Sequence, residues 1–448
     1  MKRTMIWIMA VAMAAGLTGC SGKGEQQAGT VAQADNGAAD REGIQDVEII
    51  LMHDEAEEDR IEARQKMIDA FEAENPGIRV IQQPVAEDGF ETKVKTLISA
   101  GDLPALVTGS NTLMQMLDEE GVSNTLANQE VFEQIGADAF YDSIPDFLKS
   151  QNSEGYISVP VTGWISGIWY RTDKFEEKGL EPPTTWDNIL AAAKAFHDPA
   201  NKKYGIMMAT EEGAFTQQTF QQFALSNQAQ LFDSEGQPAF DSPQMKEALE
   251  FYKELYQYSL PGSNGTTQVR DAMVGENTYM CIYSTYILPA LYKQGMAENI
   301  GFAIPEKKVA AAAGGFTNYT ISNMITPEET EAAKKFLAYM LQDDVNIQML
   351  HMSPGGANPV LKSVADKPEY LDNEVVKGYE EIAKEIPQGF NHMQQFGLQD
   401  GRLHPSIGTI SQTFVIGRAV NRILVQDEDM ETVVEATQKE LMEIVNNQ

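Results

Sequence analysis

The sequence predicts an α/β protein made of two bodies, each a mostly parallel sheet flanked by helices. Three observations lead there. From residue 47 onward, strand-length apolar runs alternate with segments of helical period, the rhythm of a parallel α/β sheet. Roughly 400 residues carry that rhythm, too many for one ordinary core and suited to two. The rhythm also starts afresh at "YISVPV" (156–161), which gives a second set of strands and helices.

The elements follow in order. "VEIILM" (47–52) reads as a strand. Residues 57–74 read as a charged helix with Ile61, Met67, Ile68 and Phe71 inward, stopped by Asn75-Pro76-Gly77. "IRVIQ" (78–82) is the next strand. Phe90, Val94, Leu97 and Ile98 form one helix face, and "ALVTG" (105–109) precedes the helical "NTLMQMLDEEG". In the second set, Ser242-Pro243 supplies a capping hydroxyl and a first-turn proline, after which Met245, Leu249, Tyr252 and Tyr256 face inward. Thr326-Pro327-Glu328-Glu329 adds a capping-box glutamate. Two last helices, 405–424 and 429–446, join across "QDED".

Ahead of this body, Lys2 and Arg3 precede a short apolar core, Met5 to Leu17, too short to span a bilayer. Its ending, Leu17-Thr18-Gly19-Cys20, resembles the lipobox of bacterial lipoproteins. That resemblance implies removal of residues 1–19, acylation of Cys20 and attachment to the membrane through that cysteine alone. Residues 20–45 hold almost no large apolar groups and read as a flexible tether.

With 66 acidic against 33 basic side chains the net charge is −33, which makes nucleic acid and anionic lipid poor partners. Cys281 has no intramolecular partner once Cys20 is acylated, and in "YMCIYSTY" it fits a small buried hydrophobe. There is no G-x-x-x-x-G-K-[ST] loop, no H-E-x-x-H pair and no G-x-S-x-G elbow. The five histidines show no metal-ligand spacing, so no metal and no cofactor are expected.

Four stretches resemble the extracellular solute-binding proteins of bacterial ABC importers, in the sugar-binding branch that includes maltose-binding protein. They are "AFEAENPGIRV", "KVKTLISAGDLPALV", "VPVTGWISGIWYRTDKFEEKGLEPPTTWDNIL" and "FAIPEKK…GGFTNYTISNMITPEETEAAKKFLAYML". The third is the most diagnostic, with Arg171 where asparagine is usual. The resemblance implies a two-lobe periplasmic-binding-protein fold of type II. Its N-terminal lobe would comprise 46–163 and 316–352, and its C-terminal lobe 164–315 and 353–448. Three crossings are implied near Thr162–Gly167, Gly314–Thr320 and Met352–Asn358. Their hinge residues would be Thr162, Gly163, Gly167, Gly314, Gly315, Gly355 and Gly356, small residues that tolerate a dihedral change.

The implied function is capture of a carbohydrate, an oligosaccharide, by a lipid-anchored monomer that delivers it unaltered to the permease subunits. A sugar offers a flat C–H face and a rim of hydroxyls, so aromatic rings and short polar side chains are the candidate contacts. Trp164 lies inside the first crossing. Tyr283 and Tyr286 stand in "TYMCIYSTY", where Ser284 replaces the family's glycine and Tyr286 its tryptophan. Phe215, Phe316, Asn318 and Phe414 complete that set. His53, Asp54 and Glu55 follow the first strand and Ser110 and Asn111 a later one, at carboxyl ends that meet a cleft. Trp186 reads as a structural anchor, and Glu57 to Asp59 as a solvated helix start. Two other readings stay open: a secreted glycoside hydrolase, which needs two carboxylates about 5–9 Å apart, and the same fold serving a non-sugar solute or a sensor kinase.

Overall fold

The computed structural model describes residues 47–379 and 381–447, the side chains of Asp88 and Glu381 apart. The expected signal, Cys20 and the tether to residue 45 lie outside the described residues.

Strand β1 (Val47–His53) runs parallel between β2 (Ile78–Pro84) and β3 (Leu106–Gly109). Parallel neighbours need crossover helices, and α1 (Glu58–Glu74) and α2 (Glu87–Ala100) supply them. Alternation along β1 divides the work between the two faces. Ile49 and Leu51 pack in one core cluster with Met67, Ile68 and Phe71 of α1. Met52 packs on the other face with Phe90 and Val94, together with Leu113, Met114 and Leu117 of α3 (Asn111–Glu119).

Strand β4 (Val159–Arg171) is long and almost wholly buried because it serves both halves of the molecule. Its far half pairs antiparallel with β5 (Met280–Ser284) and β6 (Ile300–Ala303). Its near half pairs with β7 (Ala313–Ile321) and β8 (Asn358–Pro359). β7 returns to β3, so one sheet of eight strands, ordered β2-β1-β3-β7-β4-β5 along its main path, runs through the molecule. Two of the expected crossings are therefore partners in one ladder, with Gly163 opposite Phe316, Trp164 opposite Gly315 and Ile165 opposite Gly314.

A second core cluster gathers around α4 (Ala214–Ser226) and α5 (Pro243–Tyr256), with Phe220, Phe223, Leu249, Tyr252 and Trp186 buried together. The Ser242 hydroxyl accepts from the Met245 N–H at 3.3 Å. At α6 (Pro327–Met340) Thr326 and Glu329 form the reciprocal capping box. Trp186 is an anchor as expected: its Nε1 donates to Ser226 Oγ at 3.0 Å and its ring stacks on Phe251 at 4.2 Å. Cys281 is fully buried, and burial pushes its thiol up.

A small hairpin, β9 (Leu398–Gln399) and β10 (Arg402–Leu403), precedes the C-terminal helices. The single helix expected over 405–424 is two, α7 (Ile407–Gln412) and α8 (Val415–Leu424). Phe414 between them takes a left-handed φ of 53°, a conformation that costs a bulky residue about 1–2 kcal/mol. The break lets Gly417 of α8 lie directly on the Gly213 backbone, where a Cβ would collide. The last helix, α9 (Met430–Asn446), is capped by Asp429.

Candidate functional site

A cavity of about 450 Å³ opens where the carboxyl ends of β1, β2 and β3 meet the crossing strands. Its size lies within the roughly 300–1,000 Å³ usual for small-molecule sites. One wall comes from the ends of the parallel strands and the loops and helix starts that follow them: Asp54, Glu55, Glu57, Arg60, Glu87, Gly109 and Ser110. Trp164 of β4 and Phe316 and Thr317 of β7 form the back, and Tyr286, just after β5, faces them from the second half.

The charged wall is set from beneath. Glu55 accepts from Arg60 Nη1 at 2.6 Å and from Arg64 Nη2, while Arg64 Nη1 also donates to the Tyr319 hydroxyl. Arg64 is 1% exposed. Burial opposes its charge, and Tyr319 and Glu55 more than restore it, so it stays a cation. Glu55 reaches the cavity already bonded to two guanidinium groups. Asp54 stands in this wall without a guanidinium partner: burial raises its pKa, and Glu55 and Glu87 add to the rise.

His53, expected on the rim, is instead 0% exposed beneath it, with Nε2 3.2 Å from Gln82 Oε1. Burial, then Arg64, lowers its pKa to about 4, so it is neutral at pH 7. Asn318 is likewise not a wall residue. It is 1% exposed and satisfied at both ends, donating to Asn111 Oδ1 at 2.8 Å and accepting from Ser158 Oγ at 3.1 Å. The Asn111–Asn318 pair clasps the start of α3 to the crossing strand. Ser110 caps α3, accepting from the Leu113 N–H, and is exposed at the cavity.

The aromatic candidates separate in the same way. Trp164 is half-buried and Tyr286 is 47% exposed; both line the cavity. Phe316 borders it, with its ring packed against Phe147 and Phe390. Phe215 and Tyr283 meet edge to face at 5.2 Å, outside the wall. Phe414 also lies outside it, 42% exposed at the break between α7 and α8. Flat apolar faces opposite an oxygen-rich, hydrogen-bonding rim suit a guest with both kinds of surface.

The family description "bacterial extracellular solute-binding protein" matches residues 56–347, well over half of the chain. The chain belongs to this family. It is 39% identical over 399 residues to the putative ABC transporter periplasmic-binding protein YcjN of Escherichia coli, covering 89% of this chain and 93% of that one. It is 28% identical over 297 residues to the multiple sugar-binding protein of Streptococcus mutans, covering 61% and 67%. Among solved structures, the sugar-binding protein MalE of Xanthomonas citri superposes with a TM-score of 0.75 at 16% identity, over 90% of this chain and 98% of that one. The fold is the two-lobe one of these proteins, and the family is one of binding proteins rather than enzymes. Among the described residues no helix is long and apolar enough to cross a membrane.

In this solute-binding protein most of the crossing glycines also permit close approach of neighbouring groups. Of those named, Gly355 alone has a left-handed φ, 79°. At the others the missing Cβ is what matters. A Cβ on Gly315 would lie 2.9 Å from Trp164 Nε1, and one on Gly356 2.5 Å from Tyr286 Cδ1. Both cavity rings therefore rest on crossing backbone. Gly163 gives the same clearance to Phe390, Gly167 to Phe302, and Gly314 to Met393 and the Trp164 carbonyl. Thr162 is buried in the ladder opposite Thr317 and Pro359.

Sequence reasoning missed Arg60, Glu87 and Thr317, and it read Glu57 as a solvated helix start although that residue edges the cavity. A signal was present. Arg60 and Arg64 are four apart in an otherwise acidic segment, one helix face pointing two cations at the end of β1.

Proposed function

We propose that the protein is an ABC-importer receptor held at the outer face of the cell membrane through acylated Cys20. It captures a carbohydrate, an oligosaccharide, between its lobes and passes it unaltered to the permease. The lobes are 46–163 with 316–352 and 164–315 with 353–448, the small residues of the three crossings form the hinge, and the receptor works as a monomer. The observation that carries the reading is the pair of rings, Trp164 and Tyr286, seated on crossing glycines across from a polar rim that includes Asp54, Arg60 and Ser110. A sugar's C–H face stacks on such rings while its hydroxyls bond to such a rim. The names of several relatives and fold neighbours support it, among them the multiple sugar-binding protein and a Thermotoga protein bound with tagatose.

The test is a thermal-shift screen of the chain against a broad sugar panel, followed by product analysis of each hit. A guest that binds only the folded state raises the melting point by mass action. Saturable shifts with intact sugar are expected. Cleaved sugar would replace this reading with the hydrolase one, and a silent panel would remove carbohydrate.

A further inference from the structure

The two halves also meet away from the crossings, and the contact there is of a different kind. Gln115 sits on α3, five residues beyond the Ser110 cap that faces the cavity. It is 4% exposed, and its Nε2 donates to two backbone carbonyls, Leu403 at 3.3 Å and His404 at 3.1 Å. These acceptors belong to the β9–β10 hairpin and the residue after it. That hairpin is fixed to the second half: Gln399 Nε2 donates to the Phe232 carbonyl at 2.8 Å, and the His404 ring stacks on Phe232 at 3.8 Å.

Around this one amide the seam is not close-packed. A gap of about 150 Å³ separates Thr112 and Met116 on α3 from Pro405, Gly408 and Gln412 on and beside α7. A core seam would interlock and hold the halves permanently. The Asp142 N–H also donates to Asn391 Oδ1 and the Ser143 hydroxyl to the Phe390 carbonyl, but these lie apart from the gap, where the forked Gln115 amide makes a contact that can part and re-form.

We propose that Gln115 is a positioning residue for capture: its amide latches α3 to the 403–404 carbonyls and so sets the fraction of molecules whose lobes are shut. This rests on the two-lobe reading and goes beyond it, because Gln115 acts without lining the cavity. Apparent affinity scales with the binding-competent fraction, so a residue that sets this fraction tunes affinity from outside the site. The same helix carries the Ser110 end of the cavity wall, a rise of about 7.5 Å away.

The experiment needs no sugar. The full chain with Cys20→Ser takes spin labels at Leu126→Cys and Met442→Cys, 58% and 44% exposed; Cys281 is buried and stays unlabelled. Pulsed electron resonance then reads the distance between the lobes. Gln115→Met keeps the length and removes the donor. The expected result is a population shifted to longer distance, with the open fraction rising about tenfold for two lost hydrogen bonds, and an unfolding midpoint close to the parent's. An unchanged distance distribution overturns the proposal, as does a lowered midpoint with unchanged distance, the mark of a merely structural residue. Should Gln115→Met fail to fold, Gln115→Glu, which keeps the shape and turns the donor into an acceptor facing the same two carbonyls, must lengthen the same distance. Failure of the carbohydrate reading would appear separately, as a silent sugar panel with the label distances still shifted.

Discussion

The two walls of the cavity are built on opposite plans. The first-lobe wall is charged and pinned from below, with Arg64 buried under Glu55 and tied to Tyr319. The second-lobe face is an aromatic ring, Tyr286, with no ion pair and a glycine backbone as its support. Charged groups must be oriented before a guest arrives, since reorganising them during binding costs affinity. An apolar ring needs only a flat support. The contrast teaches that a charged wall needs buried partners to hold its groups in place, while the ring opposite needs only a flat backbone beneath it.

The largest test breaks the prepared wall. Arg64→Met leaves Glu55 and the Tyr319 hydroxyl without their buried cation and should lower unfolding stability by about 3–5 kcal/mol, read by urea denaturation. Tyr286→Ala should leave that stability nearly unchanged, and equal losses in the two variants would erase the contrast. Next is acid. Folding holds His53 at a pKa of about 4 against 6.5 unfolded, so between those values the unfolded chain binds more protons. Its contribution is complete above pH 6.5 and fades as pH falls toward 4, by about 3 kcal/mol at most. His53→Gln should flatten that part of the pH profile, and an unaltered profile would refute the assignment.

Two smaller effects sharpen the aromatic side. Trp164→Ala should weaken the best sugar of the panel by at least about 2 kcal/mol, roughly 30-fold, with the unliganded melting point almost unmoved; calorimetry decides. Gly356→Ala should push the Tyr286 ring off its support. The expected result is a loss of about 1 kcal/mol in binding with retention of fold. Full affinity in that variant would mean the ring's position is immaterial.

Much of this was legible in the sequence because it depends on local spacing. The strands at 47, 78 and 106 and the caps at Ser242 and Thr326 are read from residues a few positions apart. So was the cavity's location, because carboxyl ends of parallel strands converge. What escaped was decided by partners distant in sequence. Glu55 looked like a free ligand group until Arg64 claimed it. His53 ends β1 and Asp54 is the first residue beyond it, so one step along the chain separates the buried base from the acid at the cavity. The helix break at Phe414 sits beside a contact no local pattern reveals, Gly417 lying against Gly213, some 200 residues earlier. Asn318 resembled a cleft amide, and its bonds to Asn111 and Ser158 are visible only in three dimensions.

Because β4 and β7 knit directly to each other, neither lobe owns a complete sheet. A fragment comprising one lobe would expose a raw strand edge and invite aggregation. Exchanging a lobe with that of a distant relative would have to carry both strands together with the rings that lie on them. The shared ladder thus ties the placement of both cavity rings to the continuity of one sheet.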